Sequence, residues 1–411
     1  MCLENLRLET QNIAAHIATT LQAIACALVL SACSGGGSSA SPPAGGITVV
    51  PRDKSVLISW VPEPNVEYWL LYSTSSSIST QQLTSAPGNG KIVQSVVSPY
   101  TLGSLANGTT YYFTLNGRTN GGPAGADSPV VSATPRLAGA NWSVGTPAGA
   151  NNLLALAFGG QFIAVGSNGA MFTSPDGIAW TAFPFVVGTD LNAIVYNPNP
   201  VVYVAVGASG VILTSIDRTT WTIQNSGITG NLLGITSNGA GLMVATGANG
   251  TIVTSPDRVN WTAVASGTPQ NLNAVTIGNG LFTAVGNAGV ILTSTNGTTW
   301  QPALSGTSAN LTGIAFDGRR FVAVGAAGTV VTSTDGVNWT PQAAIAPSNL
   351  AAVTFGSQFV AVGSGGTIFT SPDGVSWTAA TSGTVNNLNA IASANGGYSA
   401  VGATGTDLTS Y

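Results

Sequence analysis

Reactive side chains are scarce in this chain, and the scarcity excludes several kinds of chemistry. Asp, Glu, Lys and Arg make up 6% of the 411 residues, against about a quarter in ordinary soluble proteins. There is one histidine, His16, and there are three cysteines, Cys2, Cys26 and Cys33. Residues 139–411 contain no Glu, Lys, His or Cys at all. General acid–base catalysis has almost nothing to work with there, and no thiol or imidazole is available for a disulfide or a zinc site. The formal net charge of −4 offers no basic footprint for nucleic acid. Long apolar runs are missing too: Ala23-Ile-Ala-Cys-Ala-Leu-Val-Leu30 is too short to span a bilayer comfortably. The expectation is a protein that is not an enzyme, needs no cofactor or metal, and does not bind nucleic acid.

What is abundant is glycine, 53 residues, with Ser, Thr and Asn filling the polar positions. Many short apolar runs between such residues read as an all-β chain with tight turns.

The amino terminus carries a targeting pattern. The apolar run leads into Leu30-Ser-Ala-Cys33 and then Ser-Gly-Gly-Gly-Ser-Ser. This resembles the signal and lipobox of bacterial lipoproteins, in which the cysteine is acylated and becomes the first residue. The resemblance implies a signal peptide over 1–32, lipidation of Cys33, a membrane anchor of several acyl chains, and a flexible Gly/Ser/Pro tether over 33–45. Ser34, rather than Asp, after the cysteine implies the outer membrane of the cell envelope. His16, Cys2 and Cys26 would be lost with the signal.

Residues 46–136 hold about seven short strand-like segments, including Ser55-Val-Leu-Ile-Ser-Trp60 and Val66-Glu-Tyr-Trp-Leu-Leu-Tyr72. That density predicts an antiparallel sandwich. Trp60 and the run Leu105-x-x-Gly108-Thr109-x-Tyr111-x-Phe113 are similar to a fibronectin type III domain and its tyrosine corner. The resemblance implies that Tyr111 bonds back to the backbone, that Phe113 enters the core, and that the domain is a spacer or adhesion module.

From residue 139 onward an internal repeat decides the fold. Tryptophan recurs at 142, 180, 221, 261, 300, 339 and 377. Between successive tryptophans four strand-like segments recur, which is the size of a propeller blade. Each first strand carries leucine (Leu153, Leu191, Leu232, Leu272, Leu311, Leu350, Leu388), with Ala or Gly two residues further on. Crowding where the blades converge demands those small residues. The last repeat stops before its tryptophan strand, so residues 140–146 are expected to complete blade seven and close the ring. The architecture predicted is a fibronectin type III sandwich followed by a seven-bladed β-propeller over 139–411.

The repeated turn Thr-Ser-Pro-Asp-Gly-x-x-Trp resembles the Asp-box of sialidases and related propellers. Its acidic positions are Asp176, Asp217, Asp257, Asp335 and Asp373, with Asn296 in the remaining copy. One Asp per blade is too widely spaced for two-carboxylate catalysis, and Asp can hold a hairpin by accepting backbone N–H groups. These residues are therefore read as structural. The resemblance places this turn on the face opposite the active site of that family, whose arginine cluster and Tyr/Glu pair are absent here. Photosystem-assembly propellers share a similar Gly-x-x-Gly-x-Ile-x-x-Ser-x-Asp-Gly-x-x-Trp pattern.

The remaining ionisable residues of 139–411 are Asp190, Asp317, Asp407, Arg218, Arg258, Arg319 and Arg320. Asp190 and Asp317 fall at opposite ends of first strands. Asp407 replaces an aliphatic residue in a third strand; it reads either as a partly exposed edge position or as a functional carboxylate. A ring of Asn152, Asp190, Asn231, Asn271, Asn310, Asn349 and Asn387 precedes the first strands. It either binds a ligand through its amides or caps each blade's own turn. The function expected is a non-catalytic, surface-anchored, monomeric lipoprotein that scaffolds or adheres through a protein or envelope polysaccharide; a glycan-binding module and an assembly factor for a membrane complex are the alternatives.

Overall fold

A computed structural model describes residues 38–81, 90–146, 149–184 and 187–411. The signal segment 1–32 and Cys33 lie outside them. The chain divides into two compact units, Met1–Leu137 and Ala138–Tyr411.

The first unit holds two antiparallel sheets. One contains Thr48–Arg52, Ser55–Ser59 and Tyr100–Leu102. The other contains Ser38–Ala40, Tyr111–Thr119, Glu67–Ser73, Lys91–Val96 and Val131–Ala133. Alternation decides which side chains face inward: Val56 and Ile58 are fully buried, while their neighbours are half-buried. They share one core with Trp60, Leu70, Phe113 and Leu115. The Tyr111 hydroxyl accepts a hydrogen bond from the Ala106 N–H at 3.1 Å. The spacer reading of 33–45 needs one correction. Ser38–Ala40 is a strand, in register with Thr119, Arg118 and Gly117. Its small side chains suit an edge, and Gly117 opposite Ala40 leaves the room this approach needs.

The second unit is seven four-stranded antiparallel sheets, six of them formed in chain order. Blade 4 serves as the pattern: Leu272–Gly278, Leu281–Gly286, Ile291–Ser294 and Gln301–Ala303. The inner strands of blades 1, 2, 3, 5, 6 and 7 begin at Leu153, Leu191, Leu232, Leu311, Leu350 and Leu388. Blade 7 takes its outer strand from the other end of the unit, where Ser143–Val144 pairs with Asp407–Ser410. The inner strands of blades 7 and 1 also meet: the Asn389 amide donates to the Leu153 carbonyl at 2.8 Å. The unit is a closed β-propeller.

Its apolar interior is seven clusters, one between each pair of neighbouring sheets. Between blades 3 and 4, Val244 and Ile252 pack with Leu272, Phe282 and Trp300. The inner-strand leucines are completely buried in all seven blades. The small residues two positions on are small for a steric reason. A β-carbon on Gly234 would lie 3.0 Å from the Ala274 Cα of the next blade, and one on Gly313 would lie 3.0 Å from the Ala352 Cα. The second strands are buried on both faces, as in Phe321–Gly325, which explains their unbroken apolar sequence. Their closing glycine is forced: a β-carbon on Gly166 would collide with the Asn152 carbonyl of its own blade.

Candidate functional site

The pairing register gives the propeller two distinct ends. Leu153 lies opposite Gly166, and Val165 opposite Met171, so the loops entering first strands share one end with the turns joining strands two and three. Phe162 pairs with Ser174, which sends the Asp-box to the other end.

At the first end each second strand runs into a short 3₁₀ turn, such as Ser167–Gly169. The middle residue of every such turn has left-handed backbone: φ is 56° at Asn168, 54° at Ala288 and 53° at Thr404. Its N–H therefore points outward, away from the sheet, and needs an acceptor. The ring residue of the next blade supplies it. Asp190 Oδ1 accepts from Asn168 N at 2.8 Å, Asn231 from Ser209 at 3.0 Å, and Asn271 from Asn249 at 2.9 Å. Asn310, Asn349 and Asn387 accept from Ala288, Ala327 and Gly365, each at 2.9 Å. Asn152 accepts from Thr404 at 3.1 Å, across the closure. The backbone carbonyl of each ring residue meanwhile accepts from its own blade's turn, as Asn310 does from Ala326 at 2.9 Å. The ring thus corrects the expectation that each Asn side chain caps its own turn: the side chain fastens the preceding blade, and the carbonyl fastens its own.

A second set of latches was not visible in the sequence. The side chains of Asn192, Asn273, Thr312 and Asn389 donate to the leucine carbonyl of the next inner strand at 2.7–2.8 Å. The only sequence signal was a polar residue after the inner leucine in some blades and not others.

At the other end the Asp-boxes close on themselves. Asp335 Oδ1 accepts the N–H groups of Val337 at 2.9 Å and Asn338 at 2.8 Å, while Ser333 Oγ donates to it and accepts from Gly336 N. Trp339 Nε1 returns to the Gly336 carbonyl at 2.9 Å. The same bonds recur at Asp176, Asp217, Asp257, Asn296 and Asp373. Anionic acceptors of several donors lose their proton readily. The Thr220 N–H holds Asp217, the Asn260 side-chain amide holds Asp257, and the Asn338 N–H holds Asp335 far below the ordinary carboxylate range.

A seventh box is split across the closure. Gly139 N donates to Ser410 Oγ at 2.8 Å, and Trp142 Nε1 to the Gly139 carbonyl at 2.7 Å. These are the Ser–Gly and Trp–Gly bonds of the other boxes, assembled from the two ends of the unit. Among the described residues no aspartate joins them.

Charge is divided unevenly between the ends. The five box aspartates lie at the box end, with Arg218 and Arg258 inside two of the boxes. Asp317, Arg319 and Arg320 lie there too, in the turn after the inner strand of blade 5, where Asp317 Oδ1 accepts from Arg319 N at 2.7 Å. Among the described residues the turn end carries one charged side chain, Asp190. Asp190 and Asp317 therefore do not come together, and among the described residues no three His, Cys, Asp or Glu side chains are grouped to hold a metal ion.

Asp407 belongs to neither end. The reading as a partly exposed edge position fails, because the residue is completely buried. It opens the third strand of blade 7, where other blades place Met171, Ile212, Ile252, Ile291, Val330 and Ile368. Neither carboxyl oxygen has a hydrogen-bond partner among the described residues. Gly145 lies against it, and any side chain at 145 would overlap the carboxyl. Burial pushes its pKa up to about 6.

No protein-family model matches the chain, and no curated protein matches it. Solved structures do share the fold. A structure described as "YCF48 bound to D1 peptide" has 19% identity and a TM-score of 0.56, covering 67% of this chain and 98% of that one. "YCF48 from Cyanidioschyzon merolae" has 17% identity and a TM-score of 0.54, covering 66% and 98%. The WD40 β-propeller domain of Doa1 has 11% identity and a TM-score of 0.57, covering 66% and 97%. At these identities the likeness is one of fold.

Proposed function

We propose that this chain is a non-enzymatic scaffold whose propeller binds a protein partner at the turn end. The observation that carries the reading is the near-absence of charge at that end, combined with a ring of Asn side chains. Each ring oxygen is committed to a turn, but each Asn retains an amide Nδ2 that can donate. A neutral surface of amides, hydroxyls and exposed turn backbone suits the peptide groups of a partner, which are themselves neutral donors and acceptors. The propeller described as bound to D1 peptide supports a peptide as a ligand class for this fold.

The same reading places the chain at the cell envelope as a lipoprotein anchored through Cys33, with a fibronectin type III-like unit as spacer. The lipobox sequence supports the anchor, and the buried Phe113 and the Tyr111–Ala106 bond support the spacer. Assembly of a membrane complex is one use of such a scaffold.

The test is affinity capture from envelope extracts with the full chain and with a Gln270→Arg/Ser308→Arg variant, which puts two charges on exposed positions of the turn end. The expected result is one protein recovered by the parent chain and lost with the variant. Equal recovery by both overturns the turn end as the binding surface.

A further inference from the structure

Blade 2 departs from its own repeat in a way that leaves apolar surface uncovered. After the box serine the other blades carry Pro175, Pro256, Thr295, Thr334 and Pro372; blade 2 carries Ile216, which is 75% exposed. An aliphatic side chain in a surface turn gains nothing from folding while it stays in water. Blade 2 also has the longest inner hairpin, Leu191–Pro198 and Val201–Gly207, whose tip carries Pro200 and a 47% exposed Val201. Val259, 56% exposed, comes from the neighbouring box of blade 3. Pro200, Val201, Ile216 and Val259 line one groove of about 540 Å³ at the box end. Scattered exposed aliphatics are ordinary; a convergent set from two blades is not.

The groove has a sign. Asp217, Asp257 and Arg258 also line it. Both carboxylates are fixed by their boxes, so the groove presents two negative charges against one positive. We propose that this groove docks a short extended segment of another protein that carries an aliphatic side chain next to a lysine or arginine. The aliphatic group would enter between Ile216, Val201 and Val259, and the cation would face Asp217 and Asp257. An acidic segment would meet like charge. A lipid surface is disfavoured because this end carries six carboxylates and four arginines, whereas membrane surfaces select an excess of basic residues. The site goes beyond the turn-end reading and stands independently of it, since it lies at the opposite end of the blades.

The test starts from a random heptapeptide phage library panned on the full chain. The most enriched peptide is then synthesised and titrated calorimetrically against variants. Ile216→Pro restores the residue of other boxes, Val259→Thr removes one aliphatic wall, and Asp257→Asn removes charge while keeping a box that Asn296 shows to be sound. Val337→Thr, the equivalent of Val259 in blade 5, is the control. The expected outcome is enrichment of aliphatic–basic pairs, with affinity reduced about tenfold or more by Ile216→Pro and by Val259→Thr. Asp257→Asn should weaken binding and flatten its salt dependence, and Val337→Thr should change nothing. No enrichment, acidic consensus sequences, or insensitivity to Ile216→Pro would overturn the proposal. So would sedimentation showing a dimer that Ile216→Pro dissolves, which would assign the groove to a second copy, or vesicle binding that Ile216→Pro abolishes.

Discussion

The two ends of the propeller solve one problem with one chemical device, and differ in what the device spans. At both ends an Asx side-chain oxygen accepts a backbone N–H that the sheet cannot satisfy. At the box end the acceptor and its donors lie within four residues, so each blade finishes its own hairpin. At the turn end six of the seven pairs lie 22 residues apart, as between Ala288 and Asn310, and the seventh spans the closure from Thr404 to Asn152; each bond joins one blade to the next. The box end uses Asp in five of six intact copies, and the turn end uses Asn in six of seven. A box oxygen gathers two N–H groups and a hydroxyl, which stabilise a negative charge. A ring oxygen receives one N–H, so an amide suffices, and the end stays neutral. The division of charge between the faces follows from that difference in span.

Asp407 is the carboxylate that fits neither pattern, and it gives the largest expected effect. Its folded pKa of about 6 lies above the ordinary 3.8. Between those values the folded chain holds a proton that the unfolded chain has released. Stability should therefore fall as pH rises from 3.8 to about 6 and stay level above. The boxes act in the opposite sense: their depressed carboxyls contribute above 3.8, and that contribution is lost as pH falls further. Thermal melting across pH should show a maximum near the lower of these values. Asp407→Leu, which copies the aliphatic residues of the other blades, should stabilise the propeller by about 2 kcal/mol at neutral pH and remove the decline. A melting profile unchanged by the substitution would contradict the buried, unpartnered carboxyl.

The contrast between ends can be broken by smaller changes. Asp335→Ala deletes the acceptor of a whole box and should cost about 1 kcal/mol in chemical denaturation, whereas Asp335→Asn should cost little, as Asn296 shows. Asn310→Ala removes one inter-blade bond and should cost about 0.5–1 kcal/mol. Asn310→Asp should be nearly neutral, because Asp190 already serves there. A large penalty for that last change would mean that the ring needs its amide for more than the latch. Arg218 occupies the left-handed position that four intact boxes give to glycine, with φ of 71°. Arg218→Gly should raise stability by about 0.5 kcal/mol through relief of that backbone strain.

Much of the propeller was legible because repetition amplifies local signals. Seven leucines followed by small residues, and seven tryptophans, mark strands whose environment is the same in each blade. The box could be read for the same reason: Ser, Asp, Gly and Trp act on neighbours close in sequence. The ring could be located but not interpreted, because its partner is in the preceding blade and sequence does not show how adjacent sheets align. Asp407 misled because an acidic residue at a strand end usually faces water; its burial comes from the neighbouring blade and from Gly145. The Ser38–Ala40 strand was hidden by a composition typical of tethers. Ile216 carried a usable signal, as the one aliphatic residue at a position otherwise held by Pro or Thr.

A protein partner bound at the neutral turn end would lie within reach of Ser308. The most direct test of such binding is a photoactivatable cross-linking residue placed at Ser308 of the turn end, irradiated in intact cells, with adducts identified by mass spectrometry. The expected result is one dominant protein adduct that disappears when Gln270→Arg is added. Irradiation that yields no protein adduct, or an adduct unaffected by Gln270→Arg, would contradict binding at that end.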